Sequence, residues 1–234
     1  MTEGISDERA FADRYLKVNP ADEANYARKA RGYARRYERI LAEAAPDSVL
    51  DLGCASGLLT NWLCRRGCKD VVGVDLSAPL IEVARKNVPA EFVVDDAAHY
   101  VRTCGRKFDV VFMTDLLEHI EKPAVLDLLR GVREILNEGG FAIVRVPNLN
   151  CLGGAGWFYS VWVHVTPFTE RSLCYVAEQA GFSRTVFCNQ FRMQNFKGKI
   201  RACLNALVGR AMVWLRGKPH VKVFYRNLIA QLYR

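Results

Sequence analysis

Aspartate and glycine residues follow short apolar runs in the first half of this 234-residue chain. Asp51 precedes Gly53 and Gly57, and Asp75 ends a second apolar run. Glycine lets the backbone approach a ligand closely, and the free amides at the start of a following helix attract a carboxylate or a phosphate. A carboxylate just before the first glycine is a poor neighbour for a pyrophosphate and suits an ammonium or a sulfonium. The pattern therefore predicts a binding loop for a cationic ligand.

Two further acidic positions extend this predicted site. A carboxylate at Asp75 can accept hydrogen bonds from both hydroxyls of a ribose. After a third apolar run, Asp95, Asp96 and Ala97 offer a carboxylate to an adenine amino group. Each acid alone could instead cap a helix, but the ordered set indicates a binding site.

Ionisable side chains cluster after a fourth apolar run, between Thr114 and His119. Asp115, Glu118 and His119 have the i, i+3, i+4 spacing that would place them on one face of a helix. With His164 they would offer two oxygens and two nitrogens to Mg²⁺, Mn²⁺ or Zn²⁺. Alternatively, His119 or His164 could take a proton from an acceptor hydroxyl, because the pKa of histidine suits a general base. A purely structural role for either histidine also stays open.

Strands and helices alternate in the segment that carries these residues. The predicted strands cover residues 48–52, 71–74, 92–94, 108–113 and 141–146, and the helices between them cover residues 58–66, 79–87 and 124–136. This alternation is typical of an α/β fold, a doubly wound parallel sheet with helices on both faces. Ligands bind there at the carboxyl ends of the strands, where the polar clusters fall.

The whole chain is expected to form a single domain, 1–234. Its predicted parts are an N-terminal helix over 22–44, a cofactor-binding core over 45–190, a basic and apolar helical insertion over 191–220 and a last strand over 221–234. Within the core, residues 149–169 are predicted to form a long loop, followed by a helix over 170–180 and a strand over 184–188. Loops of this length in a compact domain are usually functional.

The ordered motifs resemble those of class I S-adenosylmethionine-dependent methyltransferases. The resemblance rests on Asp51–Gly57, Val74–Asp75, Asp95–Ala97, Phe108–Val111 and Asn137–Gly140, and it covers about residues 45–190. It implies a Rossmann-like sheet of seven strands with an antiparallel last strand, and S-adenosyl-L-methionine as the cofactor. One departure is Ala55, where the family usually has glycine.

The resemblance also implies roles for individual residues. Asp51, Gly53 and Gly57 would hold the methionine part of the cofactor, and Asp75 would hold the ribose. Asp95 or Asp96 would hold the adenine amino group, and Thr114 and Asp115 would lie beside the sulfonium. Taken with their neighbours, the predicted cofactor-binding residues are Asp51, Gly53, Cys54, Gly57, Asp75, Leu76, Asp95, Asp96, Ala97, Thr114 and Asp115. The predicted catalytic residues are Glu118, His119 and His164.

The acceptor side resembles two further groups of enzymes. The segment 114–120 is similar to the metal site of small-RNA 2′-O-methyltransferases and to the Glu-His motif of ubiquinone-pathway O-methyltransferases. Those enzymes have glutamate where this chain has Asp115, so the metal set of Asp115, Glu118, His119 and His164 stays open. The segments 145–148, 164–173 and 227–230 are similar to a bacterial subgroup associated with surface-polysaccharide assembly, which implies a sugar hydroxyl as the methyl acceptor.

Three functions are therefore compatible with the sequence. The first is O-methylation of a sugar or glycan precursor, and the second is O-methylation of a quinone or another small molecule. The third is a protein that binds S-adenosylmethionine without turnover. Nucleic acid is not expected as a partner, because the chain has no RNP- or KH-type motif. The acceptor, metal dependence, the base and the oligomeric state stay open.

Charge is distributed unevenly along the chain. The net charge is +8, yet residues 179–234 hold 11 Lys and Arg and no acidic residue. Residues 197–218 combine this charge with a very apolar body, so they are expected either to cover the acceptor pocket as a lid or to contact a membrane surface. The N-terminal residues show no apolar leader, and no run of roughly 18 apolar residues occurs. We therefore expect a cytoplasmic protein, with the inner membrane face as an alternative position.

Overall fold

Seven strands and eight helices follow one another in the computed structural model, which describes residues 2–151, 153–188 and 226–234 and the helical positions 204, 207, 208, 211 and 214. The elements of the described residues are α1 (Thr2–Val18), α2 (Glu23–Ala44), β1 (Ser48–Leu52), α3 (Leu58–Arg66), β2 (Asp70–Asp75), α4 (Ala78–Asn87), β3 (Glu91–Val94), α5 (Ala97–Thr103), β4 (Phe108–Thr114), a 3₁₀ turn (Leu117–His119), α6 (Lys122–Ile135), β5 (Leu136–Pro147), α7 (Gly154–Tyr159), α8 (Glu170–Gln179), β6 (Arg184–Phe187) and β7 (Asn227–Tyr233).

All seven strands form one sheet in the order β3-β2-β1-β4-β5-β7-β6. The strands β1 to β5 are parallel, and β7 is antiparallel to both β5 and β6. Strand order reverses between β1 and β4, so the carboxyl ends of these two strands frame a crevice in which doubly wound sheets bind ligands. The predicted fold class, including the antiparallel last strand, is confirmed.

The central strands are apolar on both faces because helices cover both sides of the sheet. One core cluster packs α2 and α3 against the sheet and includes Tyr37, Leu41 and Trp62. A second cluster packs α5, α6 and α8 on the opposite side and includes Leu128 and Leu173. Two covered faces hold the strand ends at fixed positions, which is what a preorganised site at the sheet edge requires.

Besides α7, which lies in a predicted loop, two helices were not predicted from the sequence. The helix α1 lies in a stretch that is polar apart from a few apolar positions, and α5 has only seven residues. The chain also enters β5 at Leu136, directly after α6, whereas the sequence predicted this strand only over residues 141–146. An irregularity in the pairing of β4 with β5 between Phe108 and Val110 accommodates this early start.

Part of the prediction lies outside the described residues. This applies to the helical insertion over 191–220, except at positions 204, 207, 208, 211 and 214, which are helical. It applies also to residues 221–225 of the predicted last strand. Within the predicted loop over 149–169, the structure contains the short helix α7.

Candidate active site

The loop that follows β1 has three residues with positive φ. They are Gly53 at 75°, Ala55 at 49° and Gly57 at 75°. A Cβ atom at Gly57 would lie 3.1 Å from the ring of Phe92 and 3.2 Å from the Cβ of Ala84, so the close packing there favours glycine as well. At Ala55 the left-handed conformation costs about 1 kcal/mol relative to glycine. The loop therefore keeps its shape despite the alanine.

Asp75 at the end of β2 holds this loop through two backbone amides. Its Oδ2 accepts a hydrogen bond from the N–H of Ala55 at 2.8 Å, and its Oδ1 accepts one from the N–H of Ser77 at 2.9 Å. Burial raises the pKa of the Asp75 carboxyl above its usual value. Each oxygen keeps a second lone pair, so the carboxylate can accept hydroxyl hydrogen bonds while it anchors the loop.

Asp51 lies one strand away and is almost fully buried. The hydroxyl of Thr60 donates a hydrogen bond to its Oδ2 at 2.8 Å. Burial, and secondarily the charge of Asp75, raise the pKa of Asp51 to about 7. Two neighbouring carboxylates in a low-dielectric site repel each other, and a cationic ligand would relieve that repulsion.

The remaining predicted cofactor residues lie around the same edge. Asp96 is the N-cap of α5 and accepts the N–H of His99 at 2.9 Å, which is the helix-capping alternative that the sequence left open. Asp95 contacts Nδ1 of His99 at 2.8 Å. Leu76 is 65% exposed and offers an apolar surface next to Asp75. Cys54 is buried under the loop, where a Cβ at Gly73 would lie 2.9 Å from its Sγ.

A tyrosine from α1 reaches the cofactor loop, which the sequence did not predict. Burial raises the pKa of Tyr15, and the carboxylates of Asp75 and Asp51 raise it further. The phenol lies beside Ser56, whose own side chain is fully buried. The helix α1 also packs against α4. Phe11, Ala12 and Tyr15 have helical spacing over a single turn, which is too short a stretch to predict the helix.

The turn after β4 differs from the predicted helical face. Asp115 has a φ of 55°, and only Leu117–His119 form a 3₁₀ turn. The i, i+3, i+4 argument for Asp115, Glu118 and His119 was therefore wrong, because the left-handed residue redirects the chain. The Asp115 carboxylate forms an ion pair with Arg145 instead. Thr114 is the last residue of β4, one residue beyond the predicted strand, and its hydroxyl is buried.

The side chains of Glu118, His119 and His164 lie close together, although His164 is far from the other two in sequence. One ligand-type atom from each lies within 4.8 Å of the others, and among the described residues this is the one group of three that could hold a metal ion. The two imidazole rings meet edge to face, with centroids 4.9 Å apart. The prediction that His164 joins the 118–119 pair is thus matched by the geometry, whereas Asp115 lies outside the group.

Backbone hydrogen bonds fix this convergence. The N–H groups of Val165 and Thr166 both donate to the carbonyl of Glu118, at 2.8 and 3.1 Å. The hydroxyl of Thr166 donates to the carbonyl of Ile120 at 2.6 Å. The loop after α7 is therefore tied to the 3₁₀ turn, and His164 has little freedom to leave His119.

The hydrogen bonds of the two histidines define their tautomers. Nδ1 of His119 lies 3.2 Å from the carbonyl oxygen of Val163, and Nδ1 of His164 lies 3.1 Å from that of Phe158. A carbonyl only accepts, so each Nδ1 carries the proton and each Nε2 keeps a lone pair. Burial lowers the pKa of His119 below its usual value, which favours the neutral ring.

Glu118 is the unusual group in this cluster. It is 1% exposed, and within the described part of the chain its Oε2 has no hydrogen-bond partner. Burial raises the pKa of its carboxyl to about 8, and the charge of Asp115 adds to the shift. A buried polar atom without a partner usually indicates a function or a missing ligand.

Basic side chains from α2 approach the same edge of the sheet and were also missed in the sequence. Burial lowers the pKa of both Lys29 and Arg36, and the charge of Arg145 lowers it further in each case. Asp115 is the acid that offsets the charge of all three among the contributions that the described residues make. Lys29 and Arg36 are seven residues apart on one helix, so helical periodicity was the signal that could have found them. The cluster suits an anionic group such as a carboxylate.

The comparison with known protein families agrees with this architecture. A family model described as "Methyltransferase domain" matches residues 25–185. The chain belongs to this family. Among solved structures, a SAM-dependent methyltransferase from Archaeoglobus fulgidus has a TM-score of 0.66 at 17% identity and covers 88% of this chain and 94% of its own. A putative O-methyltransferase from Nostoc punctiforme has a TM-score of 0.61 at 19% identity, and the match covers 100% of this chain and 69% of the Nostoc chain. The fold is that of the class I methyltransferases.

Curated relatives of this methyltransferase domain include ubiquinone biosynthesis O-methyltransferases. That of Roseobacter denitrificans is 33% identical over 124 residues, which cover 50% of this chain and 49% of the relative. The enzyme of Cereibacter sphaeroides is 32% identical over 137 residues, which cover 53% of this chain and 54% of the relative. The chain thus spans about half the length of the curated relatives it matches.

Proposed function

We propose that this methyltransferase transfers the methyl group of S-adenosyl-L-methionine to a hydroxyl oxygen of a small molecule, of the kind handled in ubiquinone biosynthesis. One observation carries the proposal. The loop over residues 53–57 follows β1, and Glu118 and His119, which His164 joins from the loop after α7, follow the neighbouring strand β4; these two strands frame the crevice of the sheet. A methyl-donor site and a proton-accepting site therefore lie side by side.

The cofactor residues fit the parts of the proposed methyl donor. Asp51 provides negative charge for the ammonium or the sulfonium, and the cations of α2 provide positive charge for the carboxylate. Asp75 faces the ribose hydroxyls, and the exposed side chain of Leu76 can pack against the adenine ring. Asp96 retains one carboxylate oxygen beside its helix-capping bond and can accept from the adenine amino group.

Methyl transfer to oxygen is an in-line displacement, in which the O–CH₃ bond forms as the S–CH₃ bond breaks and the electron pair stays on sulfur. Much of the rate gain comes from holding the two reactants together. The acceptor must also lose its hydroxyl proton, and the Nε2 lone pairs of His119 and His164 can take it. A positioned base contributes roughly 10²–10⁴-fold to such a step.

The same three side chains fit a divalent cation. Both histidines donate Nδ1–H to a backbone carbonyl, which is the usual outer contact of a metal-ligating imidazole, and Glu118 supplies a carboxylate oxygen without a partner in the described chain. When bound, such a cation would lower the pKa of a nearby hydroxyl. We therefore propose Glu118, His119 and His164 as its ligands.

The sequence favoured a sugar or glycan precursor as the acceptor, with a quinone-type molecule as the alternative. The relatives named above favour the alternative, because they act in ubiquinone biosynthesis. A binding protein without turnover stays the third function, and the assembled base and cofactor groups argue against it.

A methyl-transfer screen with labelled cofactor tests the proposal. Phenolic and quinol acceptors should receive label, whereas free sugars and nucleotide sugars should not. Label on sugars alone would contradict the quinone-type acceptor, and tight cofactor binding without transfer to any acceptor would favour the binding protein.

Repeating the assay with a chelator separates the two roles of the histidines. Activity that survives chelation but falls in His119→Ala and His164→Ala indicates a base, and activity that chelation abolishes indicates a metal.

A further inference from the structure

The segment between β5 and α8 exposes large aromatic and apolar side chains. Trp162 is 95% exposed and Tyr159 is 71% exposed, and three further side chains of the same segment are also exposed. We call this set the aromatic patch; its members are Trp157, Tyr159, Trp162, Val163 and Val165. Single exposed apolar residues are ordinary, but a group of large ones close together along the chain indicates an interaction site.

The chemistry around the aromatic patch suits a negatively charged partner. No acidic residue occurs between Glu138 and Glu170, so the patch carries no negative side chain. The guanidinium of Arg226 stacks on the ring of Trp157 at 3.2 Å from its centroid. Tryptophan and tyrosine combine an apolar ring with a polar edge, which is the composition found where proteins meet lipid headgroups.

A second apolar surface has the same character. The helical positions Leu204, Leu207, Val208, Ala211 and Trp214 are all exposed, and their spacing places them on one face of a helix. They belong to the stretch 179–234, which has 11 Lys and Arg and no acid. An apolar helix face in so basic a stretch is typical of interfacial helices on anionic lipid.

We infer that the aromatic patch docks this methyltransferase onto an anionic membrane surface. None of the described helices has the length and apolar character to cross a bilayer, so the contact is peripheral. The patch also adjoins the acceptor side of the site, because the carbonyls of Phe158 and Val163 hold His164 and His119. If the proposed function holds, an acceptor with an apolar tail can reach the two histidines from the bilayer.

Vesicle flotation of the full chain tests the docking without any acceptor. Binding should be strong on phosphatidylglycerol–phosphatidylcholine vesicles at low salt, weaker at high salt and weakest on pure phosphatidylcholine, because the basic charges are screened. Trp162→Ser and Tyr159→Ser should each weaken binding about tenfold by removing a ring from the interface. Tyr175→Ser is the matched control, since Tyr175 is 63% exposed but lies on α8; it should bind as the unaltered chain does.

The remaining outcomes are equally decisive. No binding to anionic vesicles at low salt, with the chain folded by circular dichroism, overturns the inference. Equal loss in Tyr175→Ser and Trp162→Ser overturns it as well. A dimer in sedimentation that Trp162→Ser converts to monomer shows that a second copy covers the patch instead. Turnover of a water-soluble acceptor should be the same in Trp162→Ser and the unaltered chain, so failed vesicle binding with intact turnover rejects the docking alone and leaves the proposed function standing.

Discussion

At the scale of single residues, the ionisation of Asp51 has opposite effects on folding and on ligand binding: it destabilises the folded chain but favours a cationic ligand. Burial raises its pKa to about 7 in the folded chain, whereas in the unfolded chain the value is about 3.9. The folded state is therefore favoured while Asp51 stays protonated, and its stability falls as the pH rises from about 4 through about 7. A cationic cofactor favours the ionised form, so its binding should lower the pKa of Asp51 again.

We predict that Asp51→Asn stabilises the ligand-free chain at pH 8 by roughly 2–4 kcal/mol, because the amide needs no ionisation in the buried site. At pH 4 the gain should largely disappear. Urea denaturation at both pH values checks this, and calorimetry should show weaker cofactor binding at pH 8. A variant that is less stable than the unaltered chain at pH 8 would contradict the raised pKa.

Asp75 has a double role as loop anchor and ribose ligand. Asp75→Ala should lose the hydrogen bonds to the ribose and the contact to the N–H of Ala55, which lowers cofactor affinity by roughly 2–4 kcal/mol. Glu82→Ala on the exposed face of α4 is the control. Calorimetry that finds unchanged affinity in Asp75→Ala would remove Asp75 from the cofactor site.

Substitution of Glu118 distinguishes a role as a metal ligand from a structural role. Glu118→Gln keeps the shape of the buried side chain and removes the ionisation that burial disfavours, so near pH 8 the free energy of unfolding of the ligand-free chain should rise by roughly 2–4 kcal/mol, as for Asp51→Asn. The affinity for Mn²⁺ or Zn²⁺, measured by calorimetry without cofactor, should fall at least about tenfold because a carboxylate ligand is lost. If the unaltered chain binds neither ion, the metal site is wrong, and the general-base role is the one that the histidine substitutions then test.

At the level of elements, the helix α1 shows what local sequence could and could not indicate. Strands and caps in the core were predictable because proline, glycine and continuous apolar runs mark their ends. Neither α1 nor the short α5 repeats its apolar positions often enough for a periodic signal. The left-handed Asp115 and its pairing with Arg145 depend on the neighbouring strand, so the local spacing gave a helical face that does not form.

The position of α1 leads to a prediction about cofactor exchange. Tyr15 covers the loop beside Asp51 and Asp75, so Tyr15→Ala should open the site and raise the cofactor dissociation rate about tenfold, as expected for the loss of a buried aromatic ring. Phe11→Ala is the control on the same helix, because Phe11 is exposed. Stopped-flow measurements check the rates. Equal effects of the two substitutions would mean that α1 acts only through its general stability.

On the scale of the whole molecule, sheet topology brings distant segments to one edge. The cofactor loop, Asp75 and the 3₁₀ turn follow three different strands, yet parallel pairing aligns their carboxyl ends. The order of strands, helices and polar motifs along the sequence was enough to predict that these segments meet at one edge of the sheet. The sequence proposed His164 for the cluster from its residue type alone, and its approach to His119 depends on the packing of a loop on that edge. The cations from α2 were missed because only the packing of that helix brings them there.

The last strand couples the end of the chain to this architecture. Strand β7 lies between β5 and β6, and Leu228 is fully buried in the core on the side of α6. Leu228→Ala should lower the free energy of unfolding by roughly 2–5 kcal/mol, through lost burial and the cavity that remains. Cofactor affinity in the native state should stay within about twofold, because the cofactor loop follows β1, three strands from β7. Asn227→Ala at the partly exposed start of β7 is the control, and urea denaturation with calorimetry measures both quantities. A loss of affinity without a loss of stability would show that β7 contributes to the site itself rather than to the core that supports it.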